Sequence, residues 1–503
     1  MFARLAAPLL RALCAPRAQR FDAALDDPAT AQAAALARMV RAGAATQYAR
    51  AHGLRADDGM AEFRSKIPLC TYAELAPWIA RQQAEPGGAV LTPGRVRCHE
   101  PTSGSGGTVK RIPYNTALLR SFRSLFAIWA ADLLRHSLRP RSGRLFASVS
   151  PRLGAAAQGL ADDRDYLGPA QRLLLGRFLL TPPGGAADLA QFRHRLAVTL
   201  LSCAELEVIS IWNPSYLLVL LDWVEQREDS LLQQLPARPR RVLENEADPW
   251  PLLWPRLQLV SCWTAAAAAA PARQLARRLP QAQLQGKGLL ATEAPLTLPL
   301  HGAGGCVPLL DEVFLEFEEA GGGCRLLHEL EADGEYGLVV TQPGGLLRYR
   351  LGDRVRCSGF YRATPLLEFL GRSDAVADLV GEKLHEDSAA QALQAVFGDG
   401  PALLLPLQPA QGQPYYLCLA ENAPAGAAAA LDAQLCKALR YAEARALEQL
   451  RSVQVIVLPQ LRAQLLDYWS GAGLRLGDIK DRRLLVRVDT ARDLAVAFGV
   501  AGK

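Results

Sequence analysis

The sequence predicts an α/β protein with a large N-terminal domain, residues 1–371, and a smaller C-terminal αβ domain, residues 372–503. Three observations carry that expectation. From Asp27 to Trp263, helical periodicity alternates with short apolar, strand-like runs. From Val307 the helical period gives way to strand-like runs parted by Gly and Pro turns, which read as an antiparallel meander forming part of a barrel. Beyond Gly371 helices and strands alternate again through Arg487, over a length that suits a small domain.

The elements follow in order. Asp27 is placed to cap a helix running to about Ala51, with Pro28 in its first turn, where a missing N–H costs least. Ile67–Cys70 reads as extended, and Thr71 and Glu74 have the spacing of a capping box opening the next helix. Val90–Glu100 is extended and Leu118–Leu134 is strongly helical. Phe146–Ser150 and Val208–Trp212 are short strands, the second followed by Pro214 and a helix over Tyr216–Arg227. Leu257–Trp263 is a buried strand, and the alanines 265–270 start a helix. The meander comprises Val313–Phe317, Gly337–Thr341, Leu346–Leu351, Arg354–Phe360 and Leu366–Leu370.

Composition narrows the function classes. The chain has 503 residues, 50% apolar and 21% charged. That is enough for several cores and unlike a disordered, collagen-like or disulfide-stapled chain. Its net charge of +6 is small for this length, and the basic groups at 135–144 and 238–241 are short, so no nucleic-acid partner is expected. The ten cysteines contain no CxxC, which argues against a metal or disulfide framework and for a reducing, cytoplasmic setting. Arg4 and Arg11 interrupt the apolar N-terminus, favouring an amphipathic helix over a signal peptide. The longest apolar run, Leu125–Ala131, stops at Asp132, so no membrane span is expected. There are 49 Arg and only 7 Lys, so a lysine is more often present for its compact charge.

Five segments could carry chemistry. Thr102–Lys110, TSGSGGTVK, offers backbone N–H groups freed by glycine, hydroxyls and a cation to phosphate oxygens. It lacks the Gly before and Ser/Thr after the lysine that a Walker loop requires, and it reads equally as a phosphate-binding loop or a flexible surface turn. In Gly286–Ala294, GKGLLATEA, Glu293 either serves Mg²⁺ or simply caps or pairs. In LLRYRLGDRVR, Asp353 at a strand end either accepts from vicinal sugar hydroxyls or sits in a Gly-Asp hairpin turn. Gly371, Arg372 and Asp374 mark either an interdomain hinge or a polar linker, and GDIK brings Lys480 to a turn near the C-terminus.

Taken together and in this order, the five segments resemble the adenylate-forming superfamily of acyl-CoA ligases and luciferase. The wording of PTSGSGGTVKRIPY, ISIWNPSYLLVLL, LVSCWT, QGKGLLATEA, LLRYRLGDRVR and FLGRSDAVADLVGEKLHE more closely resembles the auxin-responsive Gretchen Hagen family of acyl acid–amido synthetases, over about residues 60 to 390. The resemblance implies a luciferase-like, adenylate-forming fold, with ATP and Mg²⁺ as cofactors. Its implied partners are a small carboxylic acid and an amine, an amino acid by family. It implies that Ser103, Gly104, Ser105 and Lys110 meet the phosphates, and that Thr292 and Glu293 contact the adenylate and Mg²⁺. Asp353 would hold the ribose, Arg372 would lie near the nucleotide at the hinge, and Lys480 would reach the reacting carboxylate or α-phosphate.

The implied reaction has two steps: the carboxylate displaces pyrophosphate from ATP, then the amine takes the acyl group and AMP leaves. The acyl pocket is expected along the helix 118–134 and at Trp212–Leu218, where Trp212 and Tyr216 either stack on an aromatic acid or belong to the core. The alanines 265–270 stand where the family places a Gly, and Ala294 stands where a Gly is expected; alanine does not readily supply φ > 0. That departure motivates a rival, a non-catalytic family member that binds nucleotide or acyl ligand. The other rival is an acyl-CoA ligase.

Overall fold

A computed structural model of the chain describes residues 2–102, 110–147, 176, 178–180, 188–474, 476 and 479–500. Its N-terminal helices begin where side-chain oxygens can satisfy orphan N–H groups. Asp27 accepts from Thr30 N–H at 3.1 Å and opens the helix Pro28–Gly43. The single helix expected to reach Ala51 is two: the chain turns after Gly43, and Thr46 caps a short second piece, Gln47–Ala51. Thr71 N–H donates to Glu74 Oε2 at 2.7 Å, closing the capping box that starts Tyr72–Ala84. Asn115 caps the long helix Thr116–His136 by accepting from Leu118 N–H at 2.9 Å.

Two sheets organise the region before Gly371. One has the strand order Leu179–Leu180, Arg144–Ala147, Leu206–Ser210, Leu259–Cys262, Gln283–Gly286, and its registered pairs are parallel. All four residues of Leu259–Cys262 are buried, as suits a strand covered on both faces. The other sheet is the meander, in the order Cys324–Leu326, Phe314–Glu318, Glu335–Thr341, Tyr349–Tyr361, Thr364–Arg372. The runs expected as separate strands on either side of Gly352–Asp353 form one strand, Tyr349–Tyr361. Pairing slips within it: Gly337 faces Arg354 while Val339 faces Arg350, so Leu351, Gly352 and Asp353 oppose Leu338 alone. This is a bulge, made possible by Gly352 at φ +81°.

The alanine run also differs from expectation. It opens with a 3₁₀ turn, Ala266–Ala268, and the helix proper is Ala269–Arg278. Ala266 has φ +49°. An alanine here thus takes the left-handed conformation that glycine takes freely, at a cost of roughly 1–2 kcal/mol. Ala294 needs no such freedom: its side chain is buried in the main hydrophobic core.

The chain divides into two compact units. The first comprises 1–210, 233–261 and 281–369; the second comprises 211–232, 262–280 and 370–503. In the first unit one continuous core runs from Phe21 on the first helix to Leu367 on the meander. The second unit holds a three-stranded sheet in which Ala402–Leu407 and Tyr415–Ala420 pair antiparallel and Gln454–Val457 joins in parallel. Cores lie against both faces of that sheet, because successive side chains of Ala402–Leu407 point to opposite faces. No helix among the described residues is long and apolar enough to cross a membrane.

Candidate active site

In the first unit a β-hairpin delivers the glycine-rich segment. Val96–Pro101 pairs antiparallel with Arg111–Asn115, and the ladder closes with Pro101 opposite Arg111 and Thr102 N–H donating to Lys110 O at 2.9 Å. Ser103, Gly104 and Ser105 lie outside the described residues. Lys110 is half-buried, with its ammonium 5.9 Å from the centre of the Tyr72 ring, within cation–π reach. Tyr72 Oη accepts from Arg111 N–H at 2.9 Å. Both contacts are to Tyr72, which anchors the far end of the segment.

Thr292 and Glu293 form the two-residue tip of a second turn. Leu290 bridges Pro295, and Ala291 and Ala294 exchange both backbone hydrogen bonds, at 3.1 and 3.2 Å. The foot of this turn needs glycine: Gly288 has φ +71°, and a Cβ there would lie 2.6 Å from the Thr297 carbonyl oxygen. Tyr114, fully buried on the hairpin, donates from its hydroxyl to Thr292 O at 2.6 Å. One tyrosine therefore ties the turn bearing Glu293 to the hairpin that ends at Lys110. Glu293 itself is 8% exposed. Its carboxylate and the Thr292 hydroxyl are hard oxygen donors, and no group of three or more His, Cys, Asp or Glu that could hold a metal gathers among the described residues. Hard oxygen donors are the kind that suit Mg²⁺, which shares its coordination with phosphate oxygens and water.

Asp353 lies on the bulge rather than at the strand end expected, and it is 7% exposed. Nearby Arg348, at φ +48°, is held by a bidentate pair with Glu316 at 2.8 and 2.9 Å and donates to Arg64 O and Ile67 O. Two parallel charge-assisted bonds fix orientation as well as distance. That arginine is structural, and it stiffens the strand leading into the bulge.

Sequence reasoning passed over a polar cluster at the carboxyl edge of the parallel sheet. Lys287, just past the last strand, donates to Ser210 Oγ at 2.7 Å and lies 5.7 Å from the centre of the Trp129 ring. Trp129 Nε1 donates to Gln285 Oε1 at 2.9 Å. Ser261, paired in register with Ser210, is fully buried, and its Oγ has no hydrogen-bond partner among the described residues. The scarcity of lysine was the available signal. In parallel α/β sheets, ligands bind at this edge.

In the second unit, Arg372 forms a bidentate pair with Asp374 at 2.8 and 3.0 Å. Gly371 has φ +148°, and a Cβ there would meet Asp387 Oδ1 at 2.6 Å. Tyr216 is buried, and half-buried Trp212 lies 6.0 Å from Trp263, ring to ring, at 46°. Lys480 is exposed between buried Ile479 and half-buried Asp481, whose carboxyl is pushed up chiefly by burial, with Ser215 and neighbouring arginines opposing. Burial likewise raises Glu386, which accepts from Arg483 N–H at 3.0 Å.

Family comparison bears on this arrangement. The model of the GH3 family N-terminal domain matches residues 17–238 and that of the GH3 family central domain matches residues 307–372, in order and together over more than half of the chain. The chain belongs to the GH3 family. The GH3 chain is 24% identical over 468 residues to the probable indole-3-acetic acid-amido synthetase GH3.12 of Oryza sativa subsp. japonica, spanning 76% of this chain and 75% of that one. Its match to the probable indole-3-acetic acid-amido synthetase GH3.7 of the same plant is 47% identical over 58 residues, which is 12% of this chain and only 9% of that protein. The solved structure of AtGH3.15 acyl acid amido synthetase in complex with 2,4-DB has a TM-score of 0.82 at 18% identity, covering 97% of this chain and 96% of that one. A 2-hydroxyisobutyryl-CoA ligase in the postadenylation state has a TM-score of 0.56 at 14% identity, covering 92% and 91%. The fold of this GH3 protein is therefore the adenylate-forming one.

Proposed function

We propose that the chain is an ATP-dependent acyl acid–amido synthetase, which adenylates a carboxylic acid and transfers the acyl group to an amine, an amino acid by analogy with its relatives. The observation that carries this reading is the Thr292–Glu293 turn, tied by Tyr114 to the hairpin ending at Lys110, in a chain of the GH3 family. In the first step a carboxylate oxygen attacks the α-phosphorus, the bond to the β-phosphate oxygen breaks, and pyrophosphate leaves. Lys110, with Ser103, Gly104 and Ser105, binds the phosphates; Thr292 contacts the adenylate; Asp353 accepts from the ribose hydroxyls; Arg372 lies by the nucleotide. Glu293 would hold Mg²⁺, which when bound offsets phosphate charge. Lys480 offsets charge developing between the carboxylate and the α-phosphate.

In the second step the amine nitrogen attacks the acyl carbon, the bond to AMP breaks, and the nitrogen gives up its proton. Residues 372–503 act as a mobile domain that pivots about Gly371–Asp374 between the steps. Trp212 and Tyr216 hold the acid, their aromatic faces suiting an aromatic substrate. A cytoplasmic setting fits a reaction that consumes ATP and a chain with ten cysteines and no disulfide among the described residues.

ATP–pyrophosphate exchange against a panel of carboxylic acids, with Mg²⁺, tests this reading. Exchange stimulated by particular acids is expected; ATP binding without exchange for any acid would leave a non-catalytic binding protein. With an active acid, product formation from amino acids but not from CoA separates the amido synthetase from an acyl-CoA ligase.

A further inference from the structure

The lysine segment near the C-terminus is held on both sides by groups outside the motif. On its far side, Leu404 N–H donates to Arg483 O and Leu485 N–H to Leu404 O, both at 2.9 Å, strapping the chain to the strand Ala402–Leu407. On its near side the partner is Asn213, 266 residues away in sequence and 1% exposed. Asn213 is the N-cap of the helix Pro214–Glu225, its Oδ1 accepting from Ser215 N–H at 2.7 Å. Its Nδ2 donates to Ile479 O, the carbonyl directly before Lys480. All but two of that helix's residues are buried, and it packs on Ala269–Arg278 and Leu461–Gly471, which hold the cap in place in this arrangement of the chain. On the other flank of Lys480, Asp481 Oδ2 is shielded from solvent without a hydrogen-bond partner among the described residues, and the Asn213 and Ser215 side chains lie beside that carboxyl. Residues 479–482 belong to no helix or strand. Buried polar groups are costly unless hydrogen-bonded, and here the bonds that offset the cost flank one exposed lysine.

We propose that Asn213 is a positioning residue for Lys480, holding the Ile479 carbonyl so that the lysine is presented for the adenylation step. The inference rests on the reading of Lys480 as the lysine that meets the reacting carboxylate or α-phosphate. The cap and the latch use different atoms of one side chain, and this makes them separable. Aspartate and serine cap helices about as well as asparagine, but an ionised aspartate has no proton to donate to Ile479 O, and the serine hydroxyl is one bond shorter than the amide that reaches it.

The experiment measures exchange kinetics for Asn213→Asp, Asn213→Ser and Lys480→Ala, and for each Asn213 change combined with Lys480→Ala. Lys480→Ala is expected to lower kcat strongly. Asn213→Asp and Asn213→Ser are expected to lower the melting temperature modestly, the aspartate more because it sets a second carboxyl beside Asp481, to keep the KM for ATP, and to lower kcat about tenfold or more, as a displaced catalytic group does. In the Lys480→Ala background the same changes are expected to cost nothing further. Hydrogen exchange of the peptide spanning residues 479–485 is expected to quicken in both Asn213 variants. Equal losses with and without Lys480, or unchanged kcat in both variants, overturns the proposal. Exchange in the parent that survives Lys480→Ala intact overturns it through the lysine assignment. No exchange in the parent with any acid removes the functional reading itself, and the positioning role with it.

Discussion

Glu293 and Tyr114 divide the work of the candidate site between charge and placement. The carboxylate sits at the tip of a two-residue turn, where little but its neighbours' geometry fixes it, and the tyrosine hydroxyl supplies that geometry through Thr292 O. Glu293→Gln keeps the volume and removes the charge, so exchange should fall by about 100-fold or more while the melting temperature holds; a variant that retains parental exchange would show that the turn does not serve the metal. Tyr114→Phe removes one buried hydrogen bond, worth about 1 kcal/mol of stability, and exchange should drop several-fold through misplacement of Glu293; unchanged exchange would separate the turn from the chemistry. Ala266 presents the opposite case, a residue strained by its own backbone at φ +49°. Ala266→Gly should be neutral to stabilising, by up to about 1 kcal/mol after the entropy of the unfolded glycine is allowed for; a lower urea midpoint would mean that the methyl packs better than the strain costs.

At the scale of an element, the bulge in Tyr349–Tyr361 lifts Leu351–Asp353 out of regular pairing, three residues opposing one, while burial still alternates through it with Leu351 and Asp353 both buried. Gly352→Ala forces a side chain into φ +81°. That should cost about 1–2 kcal/mol and draw the bulge toward regular pairing. The KM for ATP should rise more than kcat falls, because Asp353 is proposed to bind ribose; a change confined to kcat would place Asp353 elsewhere in the reaction. The motif LGD was legible as a motif, but the bulge was not, since it depends on the register of Glu335–Thr341 and on Arg348 being anchored to Glu316. The capping box and Asp27 were legible, because the groups that define them lie within three residues of each other. The break after Gly43 was missed, as helical periodicity continues across it.

For the molecule as a whole, the second unit is assembled from three stretches of chain, and Asp399 helps to join two of them. It pairs with Arg273 at 2.6 Å and with Arg277, and these contacts, the Arg273 one first, pull its carboxyl down to about 2. A carboxyl depressed on folding contributes stability at pH above its unfolded value and loses it as pH falls through the folded one, so this contribution should vanish between about pH 4 and about pH 2. Asp399→Asn should lose less stability than the parent over that interval in urea titrations; parallel losses would assign the acid sensitivity to other carboxyls. By itself, the sequence determined the α/β class, the β-rich meander, the caps and the ordered motifs that mark the family, because each depends on spacing along the chain. Only the tertiary structure decided that Tyr114 holds the Glu293 turn, that Asn213 meets the Lys480 segment, and that Lys287 joins Ser210 and Trp129. Those contacts join residues far apart in the chain, and the burial and register that bring them together exist only once the chain has packed.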